Sequence, residues 1–232
     1  MNLLFEAQQP VIASTDEGLG YPVRRLFCIG RNYAAHAREM GQNPDRELPF
    51  FFTKWAETMV PTGSVISYPS ETSDFHYEAE LVVAIAKGGR NIVENDALDH
   101  VYGYAAGLDM TRRDLQLQAR QVGRPWDAGK NVEQSSPLGL IHAAARVGHP
   151  HGGRIALTVD GGVRQEADIA DLLWSVPEVI AYISRFYRLE PGDLIYTGTP
   201  AGVGPVVEGN RLVASVAGLS DCVVTIGPRA ND

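Results

Sequence analysis

The sequence predicts an α+β fold that is rich in β-strands and has only a few short helices. Its 232 residues include 24 glycines and 14 prolines, and both residue types interrupt helices and favour turns. Short apolar segments bounded by such turns outnumber the segments with helical patterning. At roughly 150 residues per domain, the length predicts a single domain over residues 1–232 with an N-terminal arm at 1–21.

Composition and charge narrow the class of protein. Hydrophobic residues make up 44% of the chain and charged residues 21%, which is ordinary for a globular protein. The net charge of −8 argues against a nucleic-acid partner, and no apolar run approaches the ~18 residues of a membrane span. Cys28 and Cys222 make no disulfide framework, and residues 1–15 lack a signal-peptide pattern. We therefore expect a cytoplasmic protein.

The first half of the chain is predicted to consist mainly of strands. An alanine-rich helix is expected at residues 32–40, because Gly41 follows it in the position that commonly ends helices. One helical turn is expected at 96–100. Turn residues such as Pro61 and Gly63 separate the apolar segments. The predicted strands are 25–29, 50–53, 65–68, 77–86 and 101–108.

The second half is predicted to contain two helices among further strands. Residues 111–121 have the charged and amide side chains of an exposed helix, and 123–137 is expected to be a loop. Ser175 and Glu178 form a capping-box pattern at the start of a helix over 176–187. The further strands are 154–160 and 163–166, which flank the turn Gly161-Gly162, and 194–197, 211–216 and 221–226.

Two glutamates near the start of the 77–86 strand indicate a metal site. Glu78 and Glu80 are two residues apart, so they point to the same face of a strand, about 6.6 Å apart along it. Two like charges there repel each other, and a divalent cation between them removes that repulsion. Oxygen ligands favour Mg²⁺, Mn²⁺ or Ca²⁺ over zinc. For these two residues alone, a solvent-facing strand end is the more frequent arrangement.

Asp109 is the candidate for a third carboxylate. It lies between the apolar strand 101–108 and the helix predicted from Thr111, and functional side chains are often placed at such junctions. Its position equally suits an N-cap of that helix. The spacing alone leaves both roles open.

Four segments, taken together, resemble the fumarylacetoacetate hydrolase family. They are the stretch Gly30-Arg-Asn-Tyr-Ala-Ala-His36, the Glu78-x-Glu80 strand, the stretch from Gly107 to Gln116, and Tyr196-Thr-Gly-Thr-Pro-Ala-Gly-Val-Gly204. Each segment is weak alone, but four in family order make a specific pattern, which runs from about residue 24 to the C-terminus. The likeness is greatest to the short bacterial members that act on fumarylpyruvate in gentisate-type aromatic degradation.

This resemblance implies a fold, a cofactor and an assembly. The fold is a mixed β-sandwich roll of the type found in the C-terminal domain of fumarylacetoacetate hydrolases. The cofactor is Mg²⁺ or Mn²⁺, with Ca²⁺ an option in a crystal, and it is held by Glu78, Glu80 and Asp109. The assembly is a homodimer, the ligand is a small diketo acid, and neither a membrane nor a nucleic acid is expected as a partner.

The resemblance also assigns roles in catalysis. His36 and Glu39 match the water-activating pair of the family, and Lys130 matches its active-site lysine. At i and i+3 of a helix, His36 and Glu39 share a face, although an exposed pair of no consequence has the same spacing. The residues that match family substrate contacts are Arg31, Arg113, Gln116, Thr197, Gly198 and Thr199. A solvated helix face is the alternative for Arg113 and Gln116, and an ordinary glycine-rich turn is the alternative for Thr197, Gly198 and Thr199.

The expected activity is the metal-dependent hydrolysis of a carbon–carbon bond in a 2,4-diketo acid. Fumarylpyruvate is the favoured substrate, with fumarate and pyruvate as products. The alternatives are acylpyruvate hydrolysis, oxaloacetate decarboxylation or 2-oxo-enoate isomerisation on the same site, and a catalytically silent metal- or ligand-binding relative. Trp55, Glu57 and Asn131 depart from the family pattern and are expected near the cleft, where they bear on the substrate rather than on the metal.

Overall fold

The computed structural model describes residues 3–41 and 47–230, most of which belong to β-strands or the turns between them. The ends of the predicted domain, including residues 1–2 of the predicted arm, lie outside the described residues. The strands are β1 (Ile12–Ser14), β2 (Gly20–Pro22), β3 (Arg25–Gly30), β4 (Phe50–Lys54), β5 (Met59–Pro61), β6 (Val65–Tyr68), β7 (Phe75–Tyr77), β8 (Ala79–Ile85), β9 (Val101–Leu108), β10 (Thr111–Arg112), β11 (Ser136–Leu138), β12 (His142–Ala143), β13 (Arg154–Val159), β14 (Gly162–Asp168), β15 (Asp193–Tyr196), β16 (Gly204–Pro205), β17 (Arg211–Val216) and β18 (Cys222–Arg229).

The helices are short, as the sequence predicts. None of those in the described ranges is long and apolar enough to cross a membrane. The α-helices are α1 (Ala34–Glu39), α2 (Arg113–Gln121), α3 (Asp127–Lys130), α4 (Ala144–Val147) and α5 (Val176–Phe186), and 3₁₀ turns occur at Ala56–Thr58, Glu94–His100 and Ile169–Asp171.

Two sheets form the body of the fold. The larger has the strand order β4-β3-β15-β8-β9-β11-β5, with β12 also paired to β9, and the second has the order β14-β13-β17-β18-β6. In the larger sheet β3 runs parallel to β15, and β11 runs parallel to β5, whereas the other pairs are antiparallel. A short sheet of order β10-β7-β16 lies beside them. The predicted β-rich, mixed α+β class is confirmed.

The larger sheet is buried on both faces. On β8, Leu81 and Val83 pack into the core shared with the five-stranded sheet and α5. Val82 and Ala84 point the other way, into a second core that includes Ala13 of β1. Side chains alternate along a strand, so a strand covered on both faces shows a continuous apolar run. This explains the long apolar stretch in the sequence.

The N-terminal segment is more ordered than the sequence predicts. Instead of an irregular arm up to residue 21, β1 and β2 form an antiparallel pair. The hydroxyl of Tyr21 donates hydrogen bonds to the carbonyls of Ile85, at 2.8 Å, and Asp193, at 3.0 Å. Ala13 and Tyr21 are buried in the second core, and the backbone of Ser14 and Asp16 is hydrogen-bonded to that of Ile141, which docks the hairpin on the sheet.

Three other differences from prediction concern where strands and helices begin and end. The expected 77–86 strand is split at Glu78 into β7 and β8. The helix expected from Thr111 starts at Arg113, because residues 111–112 pair with β7 instead. The loop expected at 123–137 contains α3 and the start of β11.

The C-terminal helix α5 agrees with prediction. The backbone N–H of Ser175 donates to Oε2 of Glu178 at 2.9 Å, as expected of the capping box. Pro177 occupies the first turn, where the missing N–H of proline costs no hydrogen bond.

The topology gathers many chain segments at one edge of the larger sheet. Because β8 is antiparallel to both β15 and β9, the start of β8 lies beside the ends of those two strands. The parallel strand β3 also ends at this edge, and its antiparallel partner β4 begins there. Residues 30–36, 78–80, 109–113 and 197–199 therefore converge, although they are distant in sequence.

Asn32 ties three of the loops at this edge together. Its side chain is fully buried. The amide donates to the carbonyls of Trp174, at 2.9 Å, and Thr197, at 2.8 Å, and it accepts from the N–H of Trp174 at 2.7 Å. Its role is to hold the chain after β3 against the chain after β15.

We expect Asn32→Ala to lower the free energy of unfolding by about 3 kcal/mol or more, since three hydrogen bonds to buried backbone groups are lost at once. Denaturant unfolding of the metal-free protein measures this loss. Gln118→Ala, at an exposed position of α2, is the control, and its effect should stay within about 0.5 kcal/mol. A loss below 1 kcal/mol for Asn32→Ala would contradict the assigned role.

Candidate active site

Three carboxylates meet at the gathered edge of the larger sheet. One oxygen from each of Glu78, Glu80 and Asp109 lies within 4.8 Å of the other two. Their exposed fractions are only 5%, 2% and 1%. The structure thus brings the three predicted metal ligands together, in what we call the acid cluster, and excludes a solvent-facing strand end.

The N-cap alternative for Asp109 is also excluded. Helix α2 starts two residues later than predicted, and its N-cap is Arg112. The side chain of Asp109 points instead into the acid cluster, where both of its oxygens accept hydrogen bonds from lysines.

Three cationic side chains surround the acid cluster. Nζ of Lys130 lies 2.8 Å from both Glu78 Oε2 and Asp109 Oδ2, and it also donates to Thr111 Oγ1 at 2.7 Å. Nζ of Lys54 lies 2.8 Å from Asp109 Oδ1. The guanidinium of Arg113 donates to Glu78. All three cations are at least nine-tenths buried.

Lys54 is a site residue that the sequence analysis missed. It lies on β4, far in sequence from the acidic motifs, and a single lysine in an apolar strand carries no recognisable pattern. Besides Asp109, it contacts the carbonyl of Ser135 at 2.8 Å. Its place beside the cluster depends on the packing of the end of β4 against residues 109–110 and 135, which it contacts.

The electrostatic environment shifts the pKa values of Glu78 and Glu80 in opposite directions. Burial raises the pKa of Glu78, but Lys130 and Arg113 outweigh burial and hold that pKa well below its usual value. Burial, together with the charges of Asp109 and Glu78, raises the pKa of Glu80 well above its usual value. Glu80 accepts a hydrogen bond from the N–H of Gly198 at 2.7 Å. Among the described residues, Glu80 is the one member of the cluster without a cationic side chain within ion-pair distance.

This arrangement fits a divalent cation. The donors are carboxylate oxygens alone, which suit Mg²⁺ or Mn²⁺ rather than softer metals. A buried carboxylate with a raised pKa is costly to ionise, and a cation beside Glu80 supplies the missing counter-charge. The fit therefore rests on the chemistry of the donors and on the incomplete pairing of Glu80.

Gly198 can donate its N–H to Glu80 only because it is a glycine. Its φ of +103° lies in a region that other residues rarely adopt. A Cβ at this position would also lie 2.7 Å from that of Asn32. The backbone can therefore bend its N–H toward the carboxylate of Glu80.

His36 and Glu39 lie together on α1. Nδ1 of His36 is 3.1 Å from Oε2 of Glu39, and His36 is buried and lines the cleft over the acid cluster. The Glu39 carboxylate accepts from the N–H of Gly202 at 3.0 and 3.1 Å. With Nδ1–H donated to Glu39, Nε2 of the imidazole keeps its lone pair and can accept a proton.

The six predicted substrate contacts fall into two groups. Arg31, Arg113, Gln116 and Thr199 line the cleft. Thr197 and Gly198 face the strands behind it, since the Thr197 hydroxyl donates to the carbonyl of Leu81 at 2.9 Å and Gly198 contacts Glu80. Arg113 also donates to Gln116.

Gln165 supports the site from the second sheet. It is fully buried on β14. Its carbonyl oxygen accepts from the N–H of Ala79 at 2.9 Å, next to the strand break at Glu78, and its amide donates to Thr199 Oγ1 at 2.8 Å. No sequence pattern marks Gln165 as a site residue, because its immediate neighbours on β14 are exposed and polar.

The cleft over the acid cluster has a cavity volume of about 50 Å³ and opens to solvent. One part of its wall is charged and another is aromatic. Residues of this wall that the sequence analysis did not single out are Met40, Phe50, Phe52, Arg120 and Trp126.

The three departures from the family pattern do not line this cleft. Trp55 is 63% exposed, and its backbone N–H donates to Asn131 Oδ1 at 2.9 Å. Glu57 is exposed in the adjoining 3₁₀ turn. These three residues therefore lie outside the cleft wall, although Trp55 and Asn131 directly follow the site residues Lys54 and Lys130.

Comparison with known proteins places the fold and the site in context. The family model described as fumarylacetoacetate (FAA) hydrolase C-terminal matches residues 25–227. The fumarylpyruvate hydrolase of Ralstonia sp. is 49% identical over 191 residues, which cover 82% of this chain and 99% of that protein. The mitochondrial oxaloacetate tautomerase of Homo sapiens is 40% identical over 196 residues, which cover 84% and 88%.

A solved structure agrees with this one over nearly its whole length. The crystal structure of fumarylpyruvate hydrolase from Pseudomonas aeruginosa, in complex with Mn²⁺ and pyruvate, matches with a TM-score of 0.96 at 50% identity, covering 98% of this chain and 100% of that chain. The predicted mixed β-sandwich roll is thereby confirmed. Sequence and fold agree, and the chain belongs to the fumarylacetoacetate hydrolase family.

Proposed function

We propose that this protein is a hydrolase that cleaves a carbon–carbon bond of fumarylpyruvate to give fumarate and pyruvate. The observation that carries the proposal is one cleft that holds both a buried cluster of three carboxylates and the hydrogen-bonded pair His36–Glu39. The relatives named fumarylpyruvate hydrolase, at 49% and 50% identity, support this substrate.

The residues that would hold the cation are Glu78, Glu80 and Asp109. Mn²⁺ is supported by the ion in the Pseudomonas aeruginosa relative, and Mg²⁺ is proposed from the same oxygen donors. When bound, the ion supplies Lewis-acid stabilisation of negative charge on the oxygens of the diketo acid. The homodimer, the cytoplasmic location and the single domain over residues 1–232 stay predictions of the sequence.

His36 acts as the general base in this proposal. Glu39 accepts the Nδ1 proton and fixes the imidazole, so Nε2 takes a proton from water in the cleft. The resulting hydroxide forms a bond to the carbonyl carbon next to the fumaryl double bond. Glu39 is itself held by the N–H of Gly202, which positions the pair relative to the loop after β15.

Collapse of the tetrahedral adduct breaks the adjacent carbon–carbon bond. The electron pair leaves with the pyruvyl fragment as its enolate, and protonated His36 returns a proton to its methylene carbon. Lys130 is the candidate for stabilising the oxyanion. Its three N–H bonds donate to Glu78, Asp109 and Thr111 in this structure, so one of them must turn to the substrate for that role.

The first test is turnover of fumarylpyruvate by protein stripped of metal. We expect little loss of the substrate's enol absorbance until Mn²⁺ or Mg²⁺ is added, and then equal amounts of fumarate and pyruvate. Oxaloacetate is the comparison substrate, because the human relative is named a tautomerase of it. Rapid keto–enol conversion of oxaloacetate with no cleavage of fumarylpyruvate would favour that activity instead.

Glu80→Gln tests the acid cluster. The raised pKa of Glu80 means that the metal-free native state holds a proton there more tightly than the unfolded state does. Wild-type stability without metal should therefore fall as the pH rises through that pKa. We expect metal-free Glu80→Gln to lose this dependence, to melt at a higher temperature than metal-free wild type at pH 8, and to gain no stability from Mn²⁺.

Thermal unfolding at pH 5 and pH 8, with and without Mn²⁺, measures both effects. Glu57→Gln removes one charge from an exposed glutamate and should behave as wild type. Stabilisation of Glu80→Gln by Mn²⁺ to the wild-type extent would remove Glu80 from the ligand set.

His36→Gln tests the separate role of the base. Loss of general-base catalysis should lower kcat about 10²- to 10⁴-fold, whereas Mn²⁺ should still raise the melting temperature because the acid cluster is untouched. His151→Gln, at an exposed loop position, controls for loss of a histidine. Undiminished turnover by His36→Gln would overturn this assignment.

A further inference from the structure

We propose that Arg31 and Arg120, here called the arginine pair, bind the distal carboxylate of fumarylpyruvate and so select a diketo acid with a second carboxylate over shorter acylpyruvates. The inference rests on the proposed function and adds a specificity-determining residue, Arg120, to that site.

The arginine pair shares the cleft with the acid cluster. Both side chains line the same cavity as Glu78 and Glu80. Arg31 directly follows β3, has a φ of +58°, and places its guanidinium carbon 5.0 Å from the ring centre of Phe50. Arg120 lies in the last turn of α2 and contacts the carbonyl of Met40 at 3.4 Å. The two arginines thus approach from different elements.

Arg113, the other arginine of the cleft, already has hydrogen-bond partners within the protein. Its guanidinium donates to Glu78 and Gln116, and it is almost fully buried. A substrate carboxylate would have to share Arg113 with Glu78 and Gln116. An arginine without a buried carboxylate partner is therefore the better candidate for the distal carboxylate.

The positive charge of the arginine pair is only weakly neutralised by the described residues. Arg31 contacts Glu47 only at 3.9 Å, and that glutamate is 70% exposed, so this ion pair is weak. Both guanidinium groups line the same cleft; burial lowers the pKa of Arg31, and the positive charge of Arg120 lowers it further, as expected for two cations that share a cavity. An anion between them offsets both charges.

The numbers of positive and negative charges in the cleft support the same assignment of the distal carboxylate to the arginine pair. The acid cluster carries three carboxylates and is surrounded by three cations, Lys54, Lys130 and Arg113, so the total charge cancels, although none of the described cations lies within ion-pair distance of Glu80. A divalent cation would then offset the pyruvyl carboxylate and the negative charge that develops on the diketone. The second carboxylate of fumarylpyruvate is left over, and the arginine pair is the remaining cationic feature among the described cleft residues.

Helix α2 carries Arg120 away from Arg113, which contacts the acid cluster. Arg120 is seven residues beyond Arg113, so it lies on the same face and about 10 Å further along the axis. Fumarylpyruvate has seven carbons in a chain; an extended chain of six bonds spans roughly 7 Å at 3.3–3.6 Å per three bonds. A hydrogen bond of about 2.8 Å at the far end brings the total close to that helix distance.

Aromatic side chains lie along the same cleft. The rings of Phe50 and Trp126 are 5.4 Å apart, and those of Phe52 and Trp126 are 5.8 Å apart. All three line the cavity. A planar, apolar double bond between two carboxylate ends matches a cleft with charged groups at its ends and rings between them.

Steady-state kinetics of Arg120→Gln with fumarylpyruvate and with acetylpyruvate, which lacks the distal carboxylate, test the proposal. We expect the ratio of kcat/KM for the two substrates to fall about 10- to 100-fold, the loss typical of a charge-assisted hydrogen bond, mainly through KM for fumarylpyruvate. Inhibition by the product fumarate should weaken in the same variant. Arg120→Lys should recover part of the ratio.

Arg185→Gln on α5 is the matched control, because it removes one exposed arginine away from the cleft and should keep the wild-type ratio. An unchanged ratio in Arg120→Gln, with wild-type preference for fumarylpyruvate intact, would overturn the arginine pair but not the proposed function. Failure of the wild type to cleave fumarylpyruvate would overturn both.

Discussion

The structure depends most on the burial of six charged side chains at one sheet edge. Burying a charge costs several kcal/mol unless it is paired and hydrogen-bonded, and here Glu78, Glu80 and Asp109 lie among Lys54, Lys130 and Arg113 with all but one carboxylate directly matched. This balance lets three carboxylates approach each other in the interior. Glu80 is the one carboxylate without a cationic side chain beside it, and a bound cation would supply the missing positive charge.

The rest of the fold serves to hold that cluster. Antiparallel pairing brings the start of β8 beside the ends of β9 and β15, and the break at Glu78 frees its side chain from strict alternation. Asn32 and Gln165, both fully buried, fasten the loops that carry the remaining groups. The polar contacts behind the site are therefore as specific as those within it.

Most strands, α5 with its capping box, and the approach of the three acids could be predicted from the sequence, because alternation, turn residues and short motifs are local signals. Lys54, Gln165 and Arg120 could not be, because their proximity to the site depends on strand packing and register or on the exit direction of a helix. The docking of β1 and β2 is not predictable for a related reason: it depends on the burial of Ala13 and Tyr21 and on backbone hydrogen bonds to the distant Ile141. The short β10 replaced the first turn of a predicted helix because pairing with β7 outweighs helix propensity.

The position of β15 has a consequence for how the chain folds. It is formed by residues 193–196, yet it lies between β3 and β8, which are formed by residues 25–30 and 79–85. Until β15 inserts, the loop with His36 and the strands with the three acids belong to separate halves of an unfinished sheet. Contacts of such high sequence separation slow folding, so a ribosome-bound chain that ends before residue 193 cannot assemble this sheet. The active site is then among the last parts of the molecule to form.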